Sequence, residues 1–308
     1  MAQTQSGDIP TTKVVGSLII GIIAIGFSPI LVRLGSETPP IALAMLRTLF
    51  ASILLVPVWF KQQSGRTAKP ETVSASKGNY LKIVAGLALG LHFIFWISSL
   101  YYTSVASSTV LVTIHPVMLI LIERLIQGRS FPGTVWAGVL MAFAGSAALG
   151  YFDHSIVQNQ PDPLLGNTMA FIAAGLFVVY FLIGQKVRQH TSWFSYTFPV
   201  YGVAALTCLA INMTYGTGFE GIPYSGLLYG FLLAFGPQIL GHGSINYAVK
   251  YVSPTILAST ILAEPVIASI VAFFLFNEQP PAPSIGAMLL IVAGVLLSWQ
   301  HRMKRPKQ

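Results

Sequence analysis

Two short runs hold the residues whose types and spacing could do chemistry. Thr260 to Ile270 reads TILAEPVIASI, and Glu264 is the one charged side chain between Pro254 and Phe276. The second run places His115 immediately before Pro116. If these runs cross a bilayer, an acid at mid-helix costs about +2.5 to +3.5 kcal/mol and is expected to face a bundle interior or a watery cavity. There it could exchange a proton or neutralise a cation. Each proline lacks an N–H, so Pro265 leaves the carbonyl of Ile261 without its helical donor and Pro116 does the same to Val112. Thr260 lies one turn from Glu264, and Ser108 two turns from His115.

Two polar stripes accompany these pairs. His92, Trp96 and Ser99 follow i, i+4, i+7 spacing, and Gln238, His242 and Asn246 recur every fourth residue. Either the stripes line a cavity, with Trp96, Tyr101 and Tyr180 packing the apolar part of a substrate, or they hydrogen-bond neighbouring helices. Arg47 lies about 10 Å inside its apolar run at about 1.5 Å per residue. It could bind an anion, pair with Glu264, cap a carbonyl or snorkel outward. The expected site is thus Glu264, His115, His92, Trp96, Gln238, His242, Asn246, Arg47, Tyr101 and Tyr180, with Pro116 and Pro265 as helix breaks.

The elements that must position these residues follow from composition. The 308 residues are 54% hydrophobic and 8% charged, with mean hydropathy +0.71, whereas soluble chains carry about a quarter charged residues. The apolar residues gather in ten blocks near the length of a membrane-crossing helix: 14–34, 41–60, 80–102, 106–126, 132–151, 166–187, 194–215, 224–249, 254–276 and 283–299. Their continuous apolarity excludes the two-residue alternation of a β-barrel. No cleavable signal peptide is expected, because the first block is long enough to span and lacks a small-residue cleavage site. Cys208 stands alone and forms no internal disulfide.

The lysines and arginines of the connections fall on one side of this pattern if both termini are cytoplasmic, while Glu37, Asp153, Asp162, Glu220 and Glu278 fall on the other, with Arg33 the only base near them. The net charge of +8 is therefore a topology signal. Nucleic-acid binding would need a solvated basic face, and none is available.

Shifting the chain by 149 residues lays Tyr102 on Tyr251, Ser104 on Ser253, Pro116 on Pro265, Pro132 on Pro281 and Gly145 on Gly294 without a gap. His115 falls on Glu264. Each half holds five blocks, an odd number, so the halves enter the membrane in opposite directions. The expected units are 1–151 (with a tail, 1–13), a connector 152–165, a second repeat 166–300 and a basic tail 301–308.

The segments YAVKYVSPTILASTILAEPVIASIVAFFLFNEQPPAPSIGAMLLIVAGVLL, SLYYTSVASSTVLVTIHPVMLILIERLIQG and IALAMLRTLF resemble the EamA domain of the drug/metabolite transporter superfamily. The resemblance implies an all-α integral membrane protein of ten transmembrane helices, arranged as two inverted five-helix repeats around a central cavity. It also implies transport. The first helix, IAIGFSPILVRL, lacks the glutamate of the small four-helix multidrug branch.

Other features suit packing. Gly86, Gly90, Gly138, Gly145, Gly286 and Gly294 fit close helix contact or a homodimer; Trp59, Tyr151, Tyr224 and Trp299 fit interfacial belts. Glu123 and Arg124 are expected to be solvated. No HExxH, GxSxG or phosphate-binding glycine loop is present, so an enzyme is not expected. No metal or other cofactor is expected either, since no helical i, i+4 histidine pair occurs. The reading is a secondary transporter in a bacterial cytoplasmic membrane, exporting a small organic metabolite by alternating access, with protons coupled through Glu264. Its expected partners are a small-molecule substrate, the lipid bilayer and protons. The alternatives are an uncoupled facilitator or exchanger of an organic anion, and a non-transporting receptor or assembly subunit.

Overall fold

The computed structural model describes residues 11–64, 75–153, 161–277 and 279–303. The first ten residues of the expected tail, 65–74 of the second connection, 154–160 of the central connector, Glu278 and 304–308 of the basic tail lie outside the described residues. Among the described residues every regular element is helical.

The helices are α1 (Thr11–Gly26), α2 (Ser28–Leu34), α3 (Pro40–Ser64), α4 (Ala75–Tyr102), α5 (Val105–Val112), α6 (His115–Leu125) and α7 (Gly133–Asp153). They continue as α8 (Pro163–Arg188), α9 (Trp193–Tyr215), α10 (Tyr224–Leu233), a π-helical segment (Ala234–His242), α11 (Gly243–Ala248), α12 (Pro254–Ile261), α13 (Glu264–Phe276) and α14 (Ala282–Met303). Among the described residues nine segments are long and apolar enough to cross a membrane. The block expected at 224–249 is built instead from α10, the π segment and α11.

Four apolar segments are interrupted near their middles. α1 gives way to α2 at Phe27, with Pro29 in the first turn of α2. α5 gives way to α6 at Thr113 and Ile114, and α12 to α13 at Leu262 and Ala263. The fourth interruption is the π segment, which contains Pro237. In the π segment and just beyond it, side chains take up carbonyls: the Tyr201 hydroxyl donates to Gln238 O at 2.8 Å and Trp193 Nε1 to Gly243 O at 2.7 Å. Backbone acceptors in the irregular segment and at its junction with α11 thereby gain partners.

Where two such segments begin, the same device recurs. Ser104 caps α5 by accepting from Ser107 N at 3.0 Å, and Ser253 caps α12 by accepting from Ile256 N at 3.4 Å. Side-chain oxygens there satisfy N–H groups that have no helical partner.

α7 packs along α14, α4 along α8 and α9, α3 along α9, and α1 along the π segment. Glycines let two of these pairs touch backbone to backbone. A Cβ on Gly138 would stand 2.5 Å from Ser298 N, and one on Gly90 2.9 Å from Ala204 O. These glycines and Gly86, Gly145 and Gly294 are engaged within the chain, whereas Gly286 has open space before it.

Glu123 corrects an expectation. It is fully buried, ion-paired to Arg129 and hydrogen-bonded to Thr255 N at 3.0 Å and to the Thr255 hydroxyl. The reason is local geometry: α6 ends against the start of α12, and the free N–H groups there take a carboxylate.

Candidate functional site

The four interruptions meet at one place. A central cavity is lined by Ile25 and Ser28 from the α1–α2 break, Val112, Thr113 and His115 from the α5–α6 break, Ile261 and Glu264 from the α12–α13 break, and Pro237 and His242 from the π segment. Continuous helices supply Arg47 from α3, His92, Phe93 and Trp96 from α4, and Phe177 from α8. Irregular backbone at membrane depth is tolerated where it faces protein or a cavity. The proline breaks therefore do two jobs here: they open the helical ladder and aim polar groups inward.

The room for water-sized occupants is about 40 Å³, enough for a few waters. A metabolite would need the surrounding helices to separate.

Arg47 is 1% exposed. Its Nε donates to Gln238 Oε1 at 3.1 Å and its Nη1 to Ser28 Oγ at 3.2 Å. The guanidinium lies 3.8 Å from the centroid of the Phe93 ring and 5.9 Å from that of Trp96, so its flat face meets aromatic carbon while its edge donates. Glu264 lines the same cavity, but among the described residues no ion pair joins the two.

The histidines are held in defined orientations. His115 Nδ1 lies 2.8 Å from the Val112 carbonyl, the acceptor that Pro116 leaves free. A carbonyl only accepts, so the ring proton sits on Nδ1 and the unpartnered, buried Nε2 presents a lone pair. His92 makes the same kind of bond, Nδ1 to Ala173 O at 2.8 Å. His242 stands edge-on to Phe93, 5.2 Å between centroids, and 6.4 Å from His92. Phe177 packs against His115 at 4.6 Å. Among the described residues no group of three histidine, cysteine or acidic side chains is placed to hold a metal.

Six of the ten expected site residues line the cavity: Glu264, His115, His92, Trp96, His242 and Arg47. Gln238 reaches it through Arg47. Tyr180 and Asn246 form a buried pair beside it, with the Tyr180 hydroxyl donating to Asn246 Oδ1 at 2.5 Å and Arg188 Nε to Asn246 O at 2.8 Å. Tyr101 is directed elsewhere, donating to the Thr38 carbonyl at 2.7 Å. Ser28, Phe93, Thr113, Phe177 and Pro237 also line the cavity and were absent from the sequence reading. Pro29 in FSPIL and Pro237 in FGPQIL carry the same signal as the other two breaks and would have pointed to Ser28 and the π segment.

The geometry can be set beside known proteins. The EamA-like transporter family matches residues 12–151 and again 164–300. A protein of Archaeoglobus fulgidus described as an uncharacterized transporter is 26% identical over 275 residues, spanning 87% of this chain and 91% of its own. The S-adenosylmethionine uptake transporter of Rickettsia prowazekii is 24% identical over 282 residues, 87% of this chain and 86% of its own. A solved crystal structure shares the fold with a TM-score of 0.74 at 17% identity, over 96% of this chain and 99% of the other. The chain thus belongs to the EamA-like transporter family and is an integral membrane transporter.

Proposed function

We propose that the cavity is the substrate site of a secondary transporter of small amino-acid-like or amphipathic metabolites. The observation that carries this reading is the pairing of opposites on one aromatic-walled surface: Glu264 for a cationic group and the Arg47 edge for an anionic one, with no ion pair between them. A zwitterion could meet both. Trp96, Phe93 and Phe177 would hold its apolar part.

Ten crossings, with Tyr224–Ala248 as the eighth, make two five-helix units of opposite orientation, 1–151 and 166–300, with both termini cytoplasmic. The 149-residue shift and the distribution of basic residues support this. Rocking one unit against the other would open the cavity to each side in turn, and Glu264 would exchange a proton or a cationic substrate group as the side changes. Net direction then follows the gradients: one relative bears the name of an uptake transporter, while export is the reading made from the sequence.

The test is flux in liposomes. Purified protein is reconstituted with a pooled extract of cell metabolites, on either side of the membrane, with and without an imposed proton gradient. Selective movement of one compound, abolished by Glu264→Gln, is the expected result. Vesicles that hold folded protein and move nothing would overturn the proposal in favour of a receptor or assembly subunit.

A further inference from the structure

Glu123 has no part in the central cavity, yet it is buried among exposed neighbours: Leu121 is 43% and Leu125 79% exposed, and Glu123 is 0%. One carboxylate oxygen accepts from the backbone N–H of Thr255 at 3.0 Å and from its hydroxyl; the other pairs with Arg129. Arg129 in turn faces Gln185 of α8, at 2.7 and 3.0 Å from the amide oxygen in the orientation that satisfies both groups. Thr255 is the second residue of α12, which starts after the Ser253 cap. The carboxylate therefore meets free N–H groups and the positive end of a helix dipole.

The contact ties the end of α6, in the first half of the chain, to the beginning of α12, in the second. Both helices run from here to the breaks that line the cavity. The 149-residue shift lays Glu123 on Ala272 and Thr255 on Ala106, two residues that cannot form such a bond. The clamp is one-sided.

We propose that Glu123 and Thr255 form a latch closing the cavity on the face that the charge pattern assigns to the cytoplasm, released each time the cavity opens that way. The proposal rests on the alternating-access reading above. Its chemistry suits a two-state contact. A buried carboxylate with several donors is well satisfied when closed, and water replaces those donors when the helices part, so neither state strands a bare charge. Arg129, 42% exposed at its side chain, stays at the rim and guides reclosure.

Side-specific labelling tests this in the full chain. Cys208→Ser removes the single cysteine, and Ile261→Cys places a thiol on the cavity wall. A membrane-impermeant maleimide is then applied to reconstituted vesicles from each side, before and after Glu123→Gln, Glu123→Leu or Thr255→Val. Each substitution is expected to raise labelling from the latch side about tenfold and to lower it from the other, as a population shift requires. Thr255→Val removes only the hydroxyl and leaves the backbone N–H donor, so Glu123→Leu, which removes every acceptor, decides the matter if Glu123→Gln folds poorly. An unchanged ratio between sides in folded Glu123→Leu protein would overturn the latch, whether or not the vesicles transport. A shifted ratio in vesicles that move no metabolite would uphold the latch while refuting the proposed transport.

Discussion

The breaks at His115–Pro116 and Glu264–Pro265 are built from the same two elements, an ionisable residue and the proline after it, and they end differently. At the first, the His115 ring turns back and donates to the Val112 carbonyl that the proline orphaned, leaving only Nε2 for the cavity. At the second, Glu264 can only accept when ionised, so it cannot repay the Ile261 carbonyl in that way. It faces the cavity without an ion pair among the described residues. One break consumes half of its polar residue in repairing the backbone. The other leaves its acid wholly available for a proton or a ligand.

Three substitutions would break or sharpen that contrast. The largest effect on stability is expected from His115→Ala, which strands the Val112 carbonyl again and is expected to destabilise the protein by about 1–3 kcal/mol, read as a lower unfolding midpoint in detergent. His115→Asn, whose amide N–H can stand in for Nδ1–H, is expected to restore most of that loss; equal loss in both would mean the carbonyl bond is not what matters. A smaller effect is expected from Pro265→Ala, which supplies an N–H to Ile261 and is expected to raise stability by up to about 1 kcal/mol while slowing transport. Lower stability there would show that the α12–α13 break is set by surrounding packing rather than by the proline.

Much of this arrangement was legible in the sequence, for physical reasons that can be traced to particular residues. Glu264 and His115 stood out because a charge or imidazole in a long apolar run has few explanations, and all five residues of that kind among the ten expected, Glu264, His115, His92, His242 and Arg47, share the cavity wall. Tyr101 was not separable in that way, because an aromatic with a hydroxyl satisfies an outer carbonyl as readily as it packs on a ligand. Glu123 looked like an ordinary helix-end acid, since nothing in ILIERLIQG reports that Thr255, 132 residues away, supplies its donors. Arg47 is the intermediate case. Its place inside an apolar run left burial and outward snorkelling both open, and its partners Gln238 and Ser28 come from a π segment and a helix break that only the fold brings together.

The most direct test of the central claim is the initial transport rate as a function of pH, measured in the same vesicles for the parent protein, His115→Asn and Glu264→Gln. A pH-dependent rate is expected in the parent, the same shape at reduced height for His115→Asn, and no rate above that of protein-free vesicles at any pH for Glu264→Gln. A Glu264→Gln protein that keeps both the rate and the pH profile of the parent would contradict that claim.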